Sequence, residues 1–174
     1  NTNWANGRWE TNFTVGLNAG KYANPNRQYS MIIGSEAGMY ASSALRPTFI
    51  GYEAGKYASG ADSATFLGTA AGYDAQSSTL TTLLGYSAGR YMRYAERTTA
   101  VGTDAGRYAT NHMYSVDIGQ GAGNYADGAH RSVSVGQYAG RFNKAQGSVM
   151  IGYLAGDVGD VMGSDSNALA STND

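Results

Sequence analysis

Val15-Gly16-Leu17-Asn18-Ala19-Gly20 is the first of nine copies of one phrase: a branched aliphatic residue or leucine, Gly, two variable residues, then Ala-Gly. The other copies open at Ile33, Ile50, Leu67, Leu84, Val101, Ile118, Val135 and Ile151, at steps of 18, 17, 17, 17, 17, 17, 17 and 16 residues. Both glycines and the alanine recur in every copy, which excludes chance. A unit this short cannot bury an apolar face by itself, so neighbouring copies must stack. The 174 residues divide into a lead-in or cap at 1–11, a repeat domain at 12–160 and a polar C-terminal segment at 161–174.

Let the aliphatic residue that opens the phrase be position one. Two residues before it stand Phe13, Met31, Thr48, Thr65, Thr82, Thr99, Val116, Val133 and Val149. These two columns are mostly β-branched and two residues apart, which predicts a short strand with both side chains on one face. The pattern places that face inward. The residue between them ranges from Phe49, Phe66 and Leu83 to Asp117 and Ser134, so it is expected to face outward, with the three large residues forming a partner surface. Gly at positions two and six marks two corners per coil, and Ala at position five predicts a narrow interior. Position eight is Tyr22, Tyr40, Tyr57, Asp74, Tyr91, Tyr108, Tyr125, Phe142 and Val158. Stacking would turn it into an aromatic ladder at roughly 4.8 Å, packed inside the coil or between chains. The fold class that follows is all-β: a parallel β-solenoid, or β-roll, of nine coils of about 17 residues, roughly 40–45 Å long. Two aliphatics and one Ala per coil make a thin core, which points to several chains packed together.

Composition narrows the function classes. Gly at 25 residues with only 2 Pro and no three-residue period excludes a collagen helix and a flexible linker. A charged fraction of 14% and a net charge of -1 give no drive toward nucleic acid or an anionic membrane. There is no cysteine, hence no disulfide, thiol nucleophile or thiolate metal site. No run of 18 apolar residues exists to insert in a bilayer as a helix. The chain opens at Asn1 without a signal-peptide pattern and reads as a segment of a longer protein.

Thr98-Thr99-Ala100-Val101-Gly102 and Ser132-Val133-Ser134-Val135-Gly136, each followed by an Ala-Gly corner, resemble a known repeat. They are similar to the head repeats of YadA-like trimeric autotransporter adhesins and to related β-solenoid repeats of bacteriophage tail fibres. In that family the strand motif is Asn-Ser-Val-Ala-Ile-Gly and the chains form left-handed parallel β-rolls in trimers. The likeness covers residues 12–160. The chain departs from it in a coil of 17 residues rather than 14 or 15, and in Ala-Gly-x-Tyr-Ala where the family has another turn. The resemblance implies a homotrimer and a location on a virion tail fibre or at the cell surface.

Chemistry is sparse. Gly119-Gln120-Gly121-Ala122-Gly123 looks like a dinucleotide loop, but it is one copy of a repeat whose eight other copies serve no phosphate. His112 and His130 lie in adjacent return loops and read as exposed, without the cysteine or carboxylate cluster that a metal site needs. No Ser/His/Asp set stands out. Asp157, Asp160 and Asp165 form a calcium-like acidic run at the decaying end of the repeat, read as a polar terminal segment. Asn12-Phe13-Thr14 is a formal glycosylation sequon, and Trp4 and Trp9 read as a plug for the first coil. No cofactor, metal or catalytic residue is expected. Glu36, Glu53 and Asp104 at position four and Lys21, Lys56, Arg90, Arg107 and Arg141 at position seven should form neighbouring charge columns.

Aromatic residues that break the register are the stronger candidates. Tyr52, Tyr86 and Tyr153 at position three and Tyr138 at position four are expected on the surface, where a phenol offers a sugar both an apolar face and a hydroxyl. Together with Arg90 and Arg107 they form the candidate glycan-contact set. The expectation is a non-enzymatic structural fibre or adhesin segment, a rigid multivalent stalk or head for host attachment through a surface polysaccharide. The alternative is an extracellular filament or surface-layer subunit with no receptor. An ice-binding array at Thr48, Thr65, Thr82 and Thr99 is set aside, because that column covers four of nine coils and alternates with Val and Met elsewhere, which suggests an inward face.

Overall fold

The computed structural model describes residues 12–157, and within them the chain is a parallel β-solenoid without helices. Nine three-residue strands, one per phrase, lie in one sheet in sequence order: β1 Phe13–Val15, β2 Met31–Ile33, β3 Thr48–Ile50, β4 Thr65–Leu67, β5 Thr82–Leu84, β6 Thr99–Val101, β7 Val116–Ile118, β8 Val133–Val135 and β9 Val149–Ile151. Every pairing is parallel and in register, so each coil sets its residues above the same residues of the last, as in Phe49 on Phe66 and Ile50 on Leu67. Trp4, Trp9, Asp160 and Asp165 lie outside the described residues.

The facing of the strand is the reverse of the sequence expectation. The middle column is the buried one: Ile32, Phe49, Phe66, Leu83, Ala100, Asp117 and Ser134 are at most 1% exposed. The two β-branched columns point outward, with Leu67 and Leu84 about two-fifths exposed and Thr65 and Thr82 exposed. Thr48, Thr65, Thr82 and Thr99 therefore stand on the outer face rather than the inner one. Strand alternation requires one set in and the other out, and volume decides which. The rest of the interior is lined by alanines at position five (Ala37, Ala54, Ala71, Ala88, Ala105), position nine (Ala41, Ala58, Ala75, Ala109, Ala126) and position twelve (Ala44, Ala61, Ala95, Ala129). A channel walled by methyl groups on three sides admits one large side chain per coil, not two.

Where that side chain shrinks, another position compensates. At Ala100, Met92 replaces the alanine of position nine, and its Cε lies 2.6 Å from where a Cβ on Gly106 would stand, beside the Ala100 methyl. At Asp117, His112 replaces the alanine of position twelve and reaches the carboxylate at 2.8 Å. Packing stays continuous because the volume moves between corners rather than vanishing.

The corners are built from left-handed residues at more points than the two glycines predicted. Positive φ occurs at position four (Glu36, Glu53, Asp104), at position eleven (Ser43, Ser77, Tyr94, Asn111) and at position fourteen (Ser63, Leu80, Arg97, Tyr114). Position two is the strictest: Gly85 has φ 135°, and a Cβ there would meet the carbonyl oxygen of Gly102 in the next coil at 2.6 Å. The return segment is also more ordered than its composition implies. Position ten forms a second parallel ladder of single bridges through Ser42, Ser59, Gln76, Arg93, Thr110 and Asp127. Buried hydroxyls at position fifteen donate to carbonyls one coil on, Thr81 to Ala95 at 3.1 Å and Ser115 to Ala129 at 2.9 Å, which satisfies polar groups that water cannot reach.

Candidate functional site

The tyrosines of position eight lie on the outside of the coil, not within it; Tyr22, Tyr40, Tyr57 and Tyr125 are exposed. They stack face to face along the axis: Tyr22 on Tyr40 at 5.0 Å, Tyr40 on Tyr57 at 5.0 Å, Tyr91 on Tyr108 at 5.1 Å, Tyr108 on Tyr125 at 4.9 Å and Tyr125 on Phe142 at 5.2 Å. In-register coils dictate this spacing, which falls inside the range favoured by aromatic pairs.

Among the described residues the ladder breaks once. The coil that begins with β4 carries Asp74 at position eight and moves its ring one residue earlier, to Tyr73. That ring meets Tyr57 edge-on at 5.4 Å and 76°, and Tyr91 at 5.8 Å and 79°. A shallow, open groove lies at the break, lined by Ser42, Tyr57, Ser59, Tyr73, Asp74, Gln76 and Tyr91. Its polar groups are fixed: Gln76 Nε2 donates to Asp74 Oδ1 at 2.6 Å and to the Tyr57 carbonyl at 3.2 Å, while Arg93 approaches Asp74 Oδ2 at 3.5 Å. Burial pushes the Tyr73 phenol above its ordinary pKa, so it stays neutral through the physiological range.

The position-seven cations run beside the rings, as the charge columns predicted. Arg90 stacks over Tyr73 at 5.0 Å and Tyr91 at 4.9 Å, Arg107 over Tyr108 at 4.9 Å, and Arg141 over Phe142 at 5.2 Å. Lys56 bridges Glu53 at 2.7 Å and Glu36 at 2.5 Å, and these hydrogen bonds raise its pKa. Arg107 pairs with Asp104, and Arg141 with Asp157 at 2.8 Å. Such pairs are partly exposed and each contributes little to stability.

The sequence-derived candidates fall into two groups. Tyr52, Tyr86 and Tyr153 are exposed, at 50%, 57% and 70%, on the position-three corner, where no ring contact joins them among the described residues. Tyr138 is half-buried, lying against Gly121 and under Arg141. Arg90 and Arg107 belong instead to the ladder, with Arg90 at the break. The candidate set is therefore dispersed. The residues that converge, Tyr57, Tyr73, Asp74, Gln76 and Tyr91, lie outside that set. The signal was present: Tyr73 precedes Asp74, so an aromatic residue is shifted rather than lost.

His112 is a correction. It lies in a return loop as expected but is fully buried rather than exposed, and its Nε2 lies 2.8 Å from Asp117 Oδ2 with both side chains at most 1% exposed. Ser134 follows Asp117 in the core column, and His112 Nδ1, Asp117 Oδ1 and Ser134 Oγ are buried without a hydrogen-bond partner. His130 is half-buried. The apparent dinucleotide loop has no free amides at its three glycines: Gly119, Gly121 and Gly123 donate to Val101, Thr103 and Ala139 of adjacent coils. Asn12 of the sequon spends its side chain on Ser30 and Arg27. Among the described residues no cluster of three or more His, Asp or Glu has metal-binding geometry, and no helix is long and apolar enough to cross a membrane.

The fold defines a class, the parallel β-solenoid repeat proteins, and the chain belongs to it on its architecture. No protein-family model matches the chain, and no characterised protein or solved structure compared with it matches either.

Proposed function

We propose that the chain is a non-enzymatic structural fibre or adhesin segment of a virion tail fibre or bacterial surface, assembled as a homotrimer and presenting its tyrosine face to host polysaccharide. The observation that carries the assembly is the outer face of the sheet. Its two columns hold 18 side chains, all aliphatic, aromatic or Thr and none charged, including Val15, Leu67, Leu84, Ile118, Val149 and Ile151 at 40–65% exposure. Contiguous apolar surface of this extent marks an interaction site. Burying it against copies of itself supplies the core that an alanine-lined channel lacks. The exposed tyrosines on a separate face are then free for a receptor, and weak contacts repeated over several chains add through multivalency.

Sedimentation equilibrium of the purified chain tests this. A trimer that Leu67→Glu with Leu84→Glu converts to monomer is the expected result, and a wild-type monomer at all concentrations refutes it. Open-ended growth with concentration would instead support the receptor-free filament, for which the unpaired outer edges of β1 and β9 among the described residues provide the contact. The outward in-register Thr column favours one further reading, contact with ice. Thermal hysteresis of the monomeric variant would support it, and its absence removes it.

A further inference from the structure

We infer that the break in the tyrosine ladder is a subsite for a neutral pyranose of a surface glycan, with Tyr57 as the stacking face and Asp74 and Gln76 as hydroxyl partners. The inference rests on the host-glycan reading above and relocates its contact to residues that reading did not use.

The ladder itself supplies the first argument. A stacked rung covers its neighbours' faces, and elsewhere along the column those faces are occupied at 4.9–5.2 Å. At the break Tyr73 enters edge-on to both neighbours. An edge-on ring covers less of a facing ring than a stacked one, so part of the Tyr57 ring borders the groove, while Tyr91, also among the lining residues, carries the Arg90 guanidinium at 4.9 Å. The C–H face of a pyranose has the thickness and apolar character of the rung that is missing there.

The second argument is chemical. Asp74 and Gln76 form a planar, hydrogen-bonded pair, Gln76 Nε2 to Asp74 Oδ1 at 2.6 Å. A carboxylate oxygen accepts more than one hydrogen bond, and the Gln76 carbonyl oxygen is a further acceptor. Ser42 and Ser59, joined by a 3.0 Å hydrogen bond between their hydroxyls, complete the polar lining. Aromatic faces beside fixed carboxylate, amide and hydroxyl groups match an alcohol-rich ring that is apolar on one side. Charge sets the class: the one anion of the lining is Asp74, while the neighbouring cations are engaged, Arg93 with Asp74, Arg90 over the rings and Lys56 with two glutamates. A uronate or sialic acid would meet that carboxylate, whereas a neutral hexose would donate to it.

The test keeps the fold by restoring the repeat. Tyr73→Lys with Asp74→Tyr copies the neighbouring Lys56-Tyr57 pair and fills the missing rung. Wild type and variant are compared on an array carrying neutral mannan, galactan and glucan oligosaccharides beside hyaluronan and alginate oligomers, with circular dichroism on both. The expected result is binding to a neutral oligosaccharide that falls at least tenfold in the variant, with strand signal and melting temperature kept. Gln76→Ala, which removes the amide partner of Asp74 without touching the rings, should weaken the same binding several-fold and serves if the double variant misfolds. Undiminished neutral-glycan binding in both variants overturns the subsite and leaves the host-glycan reading standing. Binding confined to the acidic oligomers also overturns it. No binding by wild type to any oligosaccharide overturns both.

Discussion

Replacing Gly85 by alanine while making the same change at Gly128 isolates what holds one coil on the next. Gly85 has φ 135°, and an added Cβ would lie 2.6 Å from the oxygen and 2.8 Å from the carbon of the Gly102 carbonyl. Both atoms are backbone, and the neighbouring Gly102 amide is itself hydrogen-bonded to the Leu84 carbonyl at 2.8 Å, so neither can swing aside. Forcing an L residue into a backbone region reserved for glycine costs about 1–3 kcal/mol, and overpacking of a close contact costs a further 1–3 kcal/mol or so. Together they predict a loss of about 2–6 kcal/mol. Gly128 also has positive φ, 72°, but nothing lies within 4 Å of its missing Cβ. There the left-handed penalty of about 1–2 kcal/mol is offset in part by the stiffer unfolded chain, about 0.4–1 kcal/mol. Guanidinium unfolding followed by circular dichroism, at one fixed protein concentration, reads the difference. A Gly85→Ala variant as stable as Gly128→Ala, or more stable, would refute the account of close carbonyl approach as the reason for glycine at position two.

Three further outcomes follow from the packing. Phe66→Ala should cost about 3–5 kcal/mol as a buried aromatic truncation, while Leu67→Ala in monomeric protein should cost well under half of that; the opposite order in denaturant titrations would restore the inward reading of the β-branched columns. Asp117→Ala leaves His112 buried without its partner and should destabilise by about 1–3 kcal/mol, whereas His112→Ala with Asp117→Leu, which replaces both hydrogen-bonding groups by apolar ones, should be nearly neutral or stabilising; a double variant less stable than Asp117→Ala would contradict this. Lys56 has its pKa raised by hydrogen bonds to Glu36 and Glu53, so its contribution is present below the ordinary lysine value of about 10.4 and is lost as pH rises through the folded value. Lys56→Met should therefore flatten the alkaline limb of a melting-temperature profile, and identical limbs in wild type and variant would count against the bridge.

The period, the strand and its parallel register could be read from the phrase alone, because a 17-residue spacing leaves stacking as the only way to bury anything. The direction in which the strand faces could not. Column-by-column reading assumes that a core position keeps its size, and here it does not: the buried column runs Phe66, Leu83, Ala100, Asp117, Ser134. Part of its variation is absorbed at other corners, where Met92 and His112 replace the alanine of positions nine and twelve. Those two replacements fall beside Ala100 and Asp117, and that coincidence is visible in the sequence. Position ten gave no such sign, since Ser42, Gln76 and Arg93 share nothing but their place in a backbone ladder. The candidate site was half legible: tyrosines were sought where they break the register, yet the informative break was an aspartate.

A perfectly periodic surface is a poor place for specific recognition. A ligand lying along the sheet face, or along an unbroken ring ladder, meets the same contacts after sliding one coil, about 4.8 Å, so its register is degenerate. That degeneracy does no harm to a stalk whose copies are brought into register by other means, and it suits a face with no charged residue in 18 positions. Recognition of one ligand in one pose needs a feature that occurs once. The described tyrosine column supplies a single one, at Tyr73 and Asp74, and a chain built from copies would lose it by the two substitutions that restore the repeat. The same argument ranks Tyr52, Tyr86 and Tyr153 lower as a joint site: they recur on one corner at wide spacing, and no ring among the described residues meets any of them. If the chain reads a glycan at all, the physical case for where it does so lies in the coil that departs from its neighbours.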